Sequence, residues 1–186
     1  MWRWIAFGAG GMVVVLVVFA FVMVRFGFVP ANADAKPSAL ERWAARTSLN
    51  AMVRRDAPRE PNPLPLNEAN LIAGIKLYGT NCLVCHGAAD GMPSNIAHGL
   101  YQHAPQLGHH GVEDDPEGET YWKIAHGIRL TGMPAFGNTL EDKQIWQLTM
   151  FLKHMDELTP SAHAQWAKLP SQAPRETAQA RSDAPR

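Results

Sequence analysis

Two cysteines, Cys82 and Cys85, are separated by two residues and followed directly by a histidine, His86. They are the only cysteines among 186 residues, too few for a disulfide-stapled scaffold. On a short turn this spacing directs both sulfurs and the imidazole at one macrocycle, which is the attachment pattern of c-type haem. We therefore predict one covalent haem c, bound through Cys82 and Cys85, with His86 as the proximal ligand of the iron.

Two other kinds of site use the same cysteine spacing. A thioredoxin-like redox pair follows a β-strand, whereas the residues before Cys82 repeat at helical spacing through Leu71, Ile72, Ile75 and Tyr78. A zinc site needs two further ligands. Histidines could supply them, but the eight histidines of the chain show no paired spacing typical of a zinc site. Haem attachment is the interpretation that the pattern favours.

The sixth iron ligand is predicted to be Met133, which follows His86 by 47 residues. Gly132 leaves the backbone permissive on one side and Pro134 restricts it on the other, which suits a rigidly held thioether. The ordinary role of a methionine is core packing. The weaker candidates are Met92, Met150, Met155 and His126.

The rest of the central region predicts helices. Thr120–His126 has a helical pattern that Gly127 ends, and a final helix is predicted to begin at a capping box spanning Thr139–Asp142. That helix is expected to pack on the first one near Gly74, where a glycine allows close approach. About ninety residues of this kind have little core without the haem, so we predict an all-α fold built around the cofactor.

The amino-terminal run Ile5–Val24 is 20 residues long without a polar side chain. As a helix it would extend about 30 Å, the hydrocarbon thickness of a bilayer. Tryptophans at positions 2 and 4 and arginines at 3 and 25 flank it. An uncleaved anchor is therefore predicted. The alternative is a cleaved signal, with Met12–Val24 as its apolar core and Ala31-Asn32-Ala33 as its cleavage site.

The flanking regions differ in composition. Lys36–Asp56 is predicted to form an amphipathic helix capped by Ser38, and the four prolines in 57–65 predict an extended strap. A short helix is expected at His163–Leu169, with disorder beyond Pro170. The predicted organisation is an anchor or signal (1–30), a helix and strap (31–66), the haem domain (67–158) and a mostly disordered tail (159–186).

Residues from about Asn67 to Asp156 resemble a class I cytochrome c domain, close to the cytochrome subunits of haem–copper oxidases and of membrane dehydrogenases. The resemblance rests on the cysteine motif, on 104–107 (APQL), on 126–128 (HGI) and on 131–134 (TGMP). It implies that the Pro105 carbonyl accepts a hydrogen bond from His86. Trp122 and Arg129 are candidate propionate partners, with a packing aromatic and a solvated charge as the alternatives.

The predicted function is one-electron transfer between membrane-associated redox partners rather than catalysis. Histidine with methionine raises the potential relative to two histidines. The alternatives are a peroxidase or gas-binding protein with a labile sixth ligand, or a fixed haem subunit of a larger oxidase or dehydrogenase complex. The resemblance further implies a single-pass protein of the bacterial inner membrane with its haem domain in the periplasm.

The net charge is zero, with 17 basic and 17 acidic residues, which argues against nucleic acid as a partner. The balance is uneven: +4 over 1–66, −6 over 67–158 and +2 over 159–186. Five carboxylates lie within 113–119, namely Glu113, Asp114, Asp115, Glu117 and Glu119. A redox partner with a basic docking face is therefore predicted.

Overall fold

The computed structural model describes residues 2–109 and 111–173. These residues are all-α, without a strand among them, and they divide into one compact unit ending at Ala35 and another beginning at Lys36. The helices are α1 (Trp2–Arg25), α2 (Ala39–Asp56), α3 (Glu68–Asn81), α4 (Leu83–His86), α5 (Asn95–Gly99), α6 (Glu117–His126), α7 (Asp142–Lys153) and α8 (Pro160–Trp166), with a 3₁₀ turn at Phe136–Asn138.

Helix α1 dominates the first unit. Its segment Phe7–Arg25 has a mean hydropathy of 2.7, and none of it is buried inside the protein. By length and composition it is able to cross a membrane, and a signal sequence near the amino terminus meets the same test. The helix therefore fits the predicted anchor.

Local capping signals set most helix ends. The Ser38 hydroxyl accepts from the backbone N–H of Glu41 at 3.1 Å and begins α2, as predicted. Gly127 ends α6 with φ at +65°, a conformation that a glycine adopts at little cost. Helix α6 begins three residues before the predicted Thr120, because Pro116 already takes the N-cap position.

The predicted cap of α7 was wrong by two residues. The helix is capped by Glu141, whose side chain and that of Gln144 form the reciprocal capping box. Thr139 is not the N-cap of α7, because it ends the preceding 3₁₀ turn, where its backbone N–H donates to the Phe136 carbonyl at 2.9 Å.

Helices α3 and α7 cross at Gly74, as predicted. An added Cβ at Gly74 would lie 2.2 Å from the Gln147 carbonyl oxygen and 2.8 Å from Phe151 Cβ. The crossing is possible only because the residue has no side chain, and it brings the end of α3, which the cysteine motif directly follows, against the core.

The strap packs on the domain rather than bridging away from it. The Asn62 side chain donates to the Trp146 carbonyl at 3.0 Å, and Leu64 packs against the core. The Pro58 carbonyl lies so close to Gly118 in α6 that a Cβ there would be only 1.8 Å away. Residues 57–65 therefore brace α6 and α7.

The domain also continues past the predicted boundary at residue 158. Helix α8 begins at Pro160, with Thr159 as its N-cap, and ends at Trp166, so it starts and stops three residues before the predicted span. Trp166 is buried, and its ring packs edge-on against two core rings. The distance between ring centroids is 5.2 Å to Tyr78 and 5.3 Å to Phe151. The disorder predicted beyond Pro170 concerns mainly 174–186, which lie outside the described residues.

Candidate haem site

The cysteine motif forms a single helical turn directly after α3. Cys82 caps α3, and its carbonyl accepts from the backbone N–H groups of Cys85 at 3.1 Å and His86 at 2.9 Å. Both thiols are free and half-buried. The turn therefore holds two thiols and one imidazole within a few residues of one another.

The imidazole of His86 is oriented by Pro105. Nδ1 donates to the Pro105 carbonyl oxygen at 2.9 Å, and a carbonyl only accepts, so the proton lies on Nδ1. Burial lowers the pKa of His86, and the hydrogen bond to Pro105 opposes that shift only in part. The ring is therefore neutral at pH 7, with the Nε2 lone pair available to a metal.

The backbone on either side of the imidazole is also held. The Tyr78 hydroxyl donates to the Gly87 carbonyl at 2.7 Å, and the Leu107 N–H donates to the His86 carbonyl at 3.1 Å. Burial raises the pKa of Tyr78 far above its ordinary value, so the hydroxyl remains a donor. Sequence reasoning placed Tyr78 on a helix face but missed this bond, because the helical pattern says nothing of the hydroxyl.

The environment of the thiols does not suit a redox pair. Burial, and secondarily the neighbouring Cys85, raises the pKa of the Cys82 thiol to about 12. Reactive thiols of redox pairs have a lowered pKa instead. The described residues do not support a zinc centre either. Residues 2–109 and 111–173 contain no group of three or more histidine, cysteine, aspartate or glutamate side chains placed to bind a metal ion.

Met133 lies in a loop with a defined hydrogen-bond pattern. The Thr131 hydroxyl donates to the Ile128 carbonyl at 2.7 Å and accepts from the Met133 N–H at 3.1 Å. The Met133 carbonyl accepts from the Ile128 N–H at 3.1 Å, and a Cβ at Gly127 would approach that carbonyl to 2.7 Å. The loop is therefore closed on itself, with the Met133 side chain half-buried against the same core as Cys82.

Segment 94–100 links this loop to the cysteine motif. The Ser94 hydroxyl donates to the carbonyl of Val84, which lies between the two cysteines. At the other end, a Cβ on Gly132 would approach Leu100 Cδ2 to 2.5 Å. The residue beside Met133 and the residue between the cysteines thus both contact one short segment.

Trp122 and Arg129 occupy different settings. Trp122 is buried outside the main hydrophobic core, with its ring centroid 4.8 Å from that of His126. Arg129 is exposed in the loop that leads to Met133. Within the described part of the chain, neither side chain hydrogen-bonds to the residues of the cysteine motif.

The acidic segment is engaged largely with its own unit. Lys123 Nζ lies 3.0 Å from an Asp115 carboxylate oxygen and 4.0 Å from one of Glu119. The Glu117 carboxylate accepts from the Asn62 backbone N–H at 3.4 Å. Three of the five carboxylates therefore have partners inside the protein, and Lys123 is the cation that faces two of them.

The residues fit the cofactor that the motif implies. A haem c needs two free thiols on a short turn and an imidazole nitrogen able to bind iron. Cys82, Cys85 and His86 supply these, and Pro105 supplies the carbonyl that fixes the imidazole tautomer. Met133 is a further thioether on a hydrogen-bonded loop.

Comparison with known proteins gives one family match. Residues 69–152 match the family described as cytochrome C oxidase, cbb3-type, subunit III. The match covers 84 of the 186 residues, from the first turn of α3 to the last turn of α7, so that α1, α2 and α8 lie outside it. No curated protein and no solved structure was found to match the chain.

Proposed function

From the premise that residues 69–152 form a cytochrome c domain, we propose that this chain is a one-electron carrier with a single His/Met-ligated haem c. It relays electrons between membrane-associated redox partners in the bacterial periplasm, with α1 as its single membrane span. The observation that carries the proposal is the His86 Nδ1 to Pro105 bond of 2.9 Å, because it leaves Nε2 free for iron.

Each site residue has a defined role in this proposal. Cys82 and Cys85 would form the two thioethers that hold the haem, and His86 and Met133 would bind its iron. The chemistry that a bound haem supplies is transfer of one electron between ferrous and ferric iron. The hydrogen bonds around His86 and Met133 hold both ligands in place, so that little rearrangement accompanies electron transfer.

Trp122 and Arg129 enter the proposal as propionate partners. Arg129 is exposed in the Met133 loop without an ion pair in the described residues, so its guanidinium is free to meet a carboxylate. Trp122 is buried on α6, the helix from which that loop departs. Replacing either one is expected to lower the reduction potential, because an unpaired propionate favours the ferric state.

Spectroscopy of the purified holoprotein tests the ligand set. We expect one covalently bound haem per chain, a low-spin ferric spectrum and a weak sulfur-to-iron charge-transfer band that is lost in Met133→Ala. A high-spin ferric spectrum, or rapid carbon monoxide binding by the reduced wild-type protein, would instead support a peroxidase or gas-binding haem. The matched control is Met92→Ala, which removes an exposed methionine of the segment after the cysteine motif.

A fixed place in a larger oxidase or dehydrogenase complex is the second candidate function. Helix α2 exposes 72% of Leu40 and 64% of Trp43, large apolar side chains of the kind that subunit contacts bury. The family description, which names a subunit of an oxidase, supports the same possibility. Stable co-purification with other subunits from detergent-solubilised membranes is expected, and recovery as a lone chain would contradict it.

The proposed partner presents a basic docking face. The haem domain as first delimited, 67–158, has a formal charge of −6, and haem propionates would add to it. Association is therefore expected to slow as ionic strength rises. Reduction kinetics that do not change with salt would contradict this part of the proposal.

A further inference from the structure

The side chain of Gln106 lies between the cysteine motif and the segment that contains Pro105. Its Nε2 donates to the Cys85 carbonyl at 3.0 Å and to the Ala104 carbonyl at 3.0 Å. Cys85 directly precedes His86, and Ala104 directly precedes Pro105. The amide therefore joins the backbone immediately beside both ends of the His86–Pro105 hydrogen bond.

We propose that Gln106 is a positioning residue for the axial imidazole: its carboxamide sets the spacing between the cysteine turn and residues 104–107, and with it the plane of the His86 ring. The inference rests on the proposed function, in which His86 binds iron. Gln106 does not touch the iron-binding nitrogen and acts only through the two carbonyls that it bridges.

The surroundings fix the orientation of this amide. Because Nε2 faces two carbonyl oxygens, the flipped amide would bring three oxygens together without a donor. Gly87, at φ +74°, makes room for the other end, since a Cβ there would lie 2.5 Å from Gln106 Oε1. A side chain at 87 would displace the amide from its place.

Burial of the Gln106 amide is energetically unfavourable at one of its two polar atoms, which argues against a side chain that only fills space. Gln106 Oε1 is buried and has no hydrogen-bond partner within the described residues. An unpaired buried acceptor is unfavourable, and an apolar side chain of similar size would not incur that penalty. The two donated bonds are therefore what a glutamine adds at this position.

These bonds complete a set around the imidazole. The carbonyls of three successive residues each accept one hydrogen bond: Cys85 from Gln106, His86 from the Leu107 N–H at 3.1 Å and Gly87 from a tyrosine hydroxyl at 2.7 Å. Gln106 and Leu107 thus clamp residues 85 and 86 from one side. Without the amide, the bonds left on this side of residues 85 and 86 within the described part of the chain are the Leu107 backbone bond and the imidazole bond itself.

The test compares Gln106→Met with Gln102→Met in the full-length holoprotein. Methionine keeps the length of the side chain but donates no hydrogen bond. Gln102 is a half-buried glutamine of the same segment whose side chain makes no hydrogen bond in the described part of the chain. In Gln106→Met we expect a changed pattern of haem-methyl shifts in the ferric NMR spectrum. The reduction potential should also rise, because a weakened bond to Pro105 makes His86 a poorer electron donor.

Gln102→Met should leave both properties at wild-type values. If Gln106→Met also leaves both unchanged, the proposal is wrong. Hydrogen exchange in the unmodified holoprotein provides an independent test that does not require the variant to fold. The Gln106 side-chain amide protons should exchange at least tenfold more slowly than those of Gln102, and equal rates would overturn the proposal.

Different results would contradict haem binding by His86 and the positioning role of Gln106. A ferric spectrum without histidine ligation would contradict the proposed function, whatever the behaviour of Gln106. A normal histidine–methionine spectrum combined with a rapidly exchanging Gln106 amide would overturn only the positioning role.

Discussion

Replacing Gly74 by alanine tests the packing that supports the haem site. The new Cβ would lie 2.2 Å from the Gln147 carbonyl oxygen and 2.8 Å from Phe151 Cβ, whereas ordinary contacts begin near 3.4 Å. Both obstacles belong to the rigid part of α7, so no side-chain rotation relieves them. Helices α3 and α7 must therefore move apart by about 1 Å, a gap that costs the facing atoms roughly a quarter to a half of their dispersion attraction.

The expected net effect combines two opposing terms. Alanine in place of glycine within a helix gains up to about 1 kcal/mol. Overpacking of a filled core costs about 1–3 kcal/mol, and the upper end applies here because backbone is involved. We expect Gly74→Ala to lower the free energy of unfolding by about 2 kcal/mol, which corresponds to roughly 5–10 °C in Tm.

Thermal unfolding of the detergent-solubilised holoprotein, followed by circular dichroism, measures this difference. The matched control is Gly99→Ala, because an added Cβ at this helical glycine has nothing within 4 Å. The control should show no loss of stability. A Tm for Gly74→Ala equal to or above that of the control would refute the packing argument.

Further predictions concern three individual side chains. Tyr78→Phe leaves the buried Gly87 carbonyl unpaired and should cost about 1–3 kcal/mol in denaturant unfolding; an unchanged midpoint would contradict it. Folding raises the pKa of Tyr78, so the protonated hydroxyl contributes fully to the free energy of unfolding below pH 10, and this contribution is lost as the pH rises further. The free energy of unfolding of Tyr78→Phe should therefore fall less steeply with pH in the alkaline range than that of the wild type. Thr131→Val removes the hydroxyl that holds Met133, so carbon monoxide should bind the reduced protein faster than wild type, and an equal rate would count against that role. Trp166→Ala should destabilise the domain by about 3–5 kcal/mol, whereas a disordered tail predicts no change in Tm.

Features encoded by neighbouring residues were predicted well. Ser38 begins α2 and Gly127 ends α6, because a hydroxyl cap and a left-handed glycine act within one helical turn. The predicted cap at Thr139 was wrong, and the cause is again local in sequence. The 3₁₀ turn at Phe136–Asn138 takes Thr139 as its C-cap residue, so it cannot begin α7. Local signals were reliable where one local structure was available, and not where two competed.

Hydrogen bonds from isolated asparagine and glutamine side chains to distant backbone were not predicted. Asn62 meets the Trp146 carbonyl across 84 residues, and Gln106 meets Cys85 across 21. A glutamine or asparagine in an irregular segment shows no periodicity that would reveal such a bond. Trp166 was likewise assigned to a tail, because the composition after Pro160 hides one aromatic anchor among polar residues.

The sequence alone was enough to predict the chemistry of the site and the membrane anchor. The spacing of Cys82, Cys85 and His86 acts over a single turn, and the apolar character of α1 requires no tertiary partner. The tertiary structure decided how that chemistry is held. It assigned Gln106 to the backbone beside His86 and made Trp166 part of the core, because these contacts form only once packing has brought distant segments together.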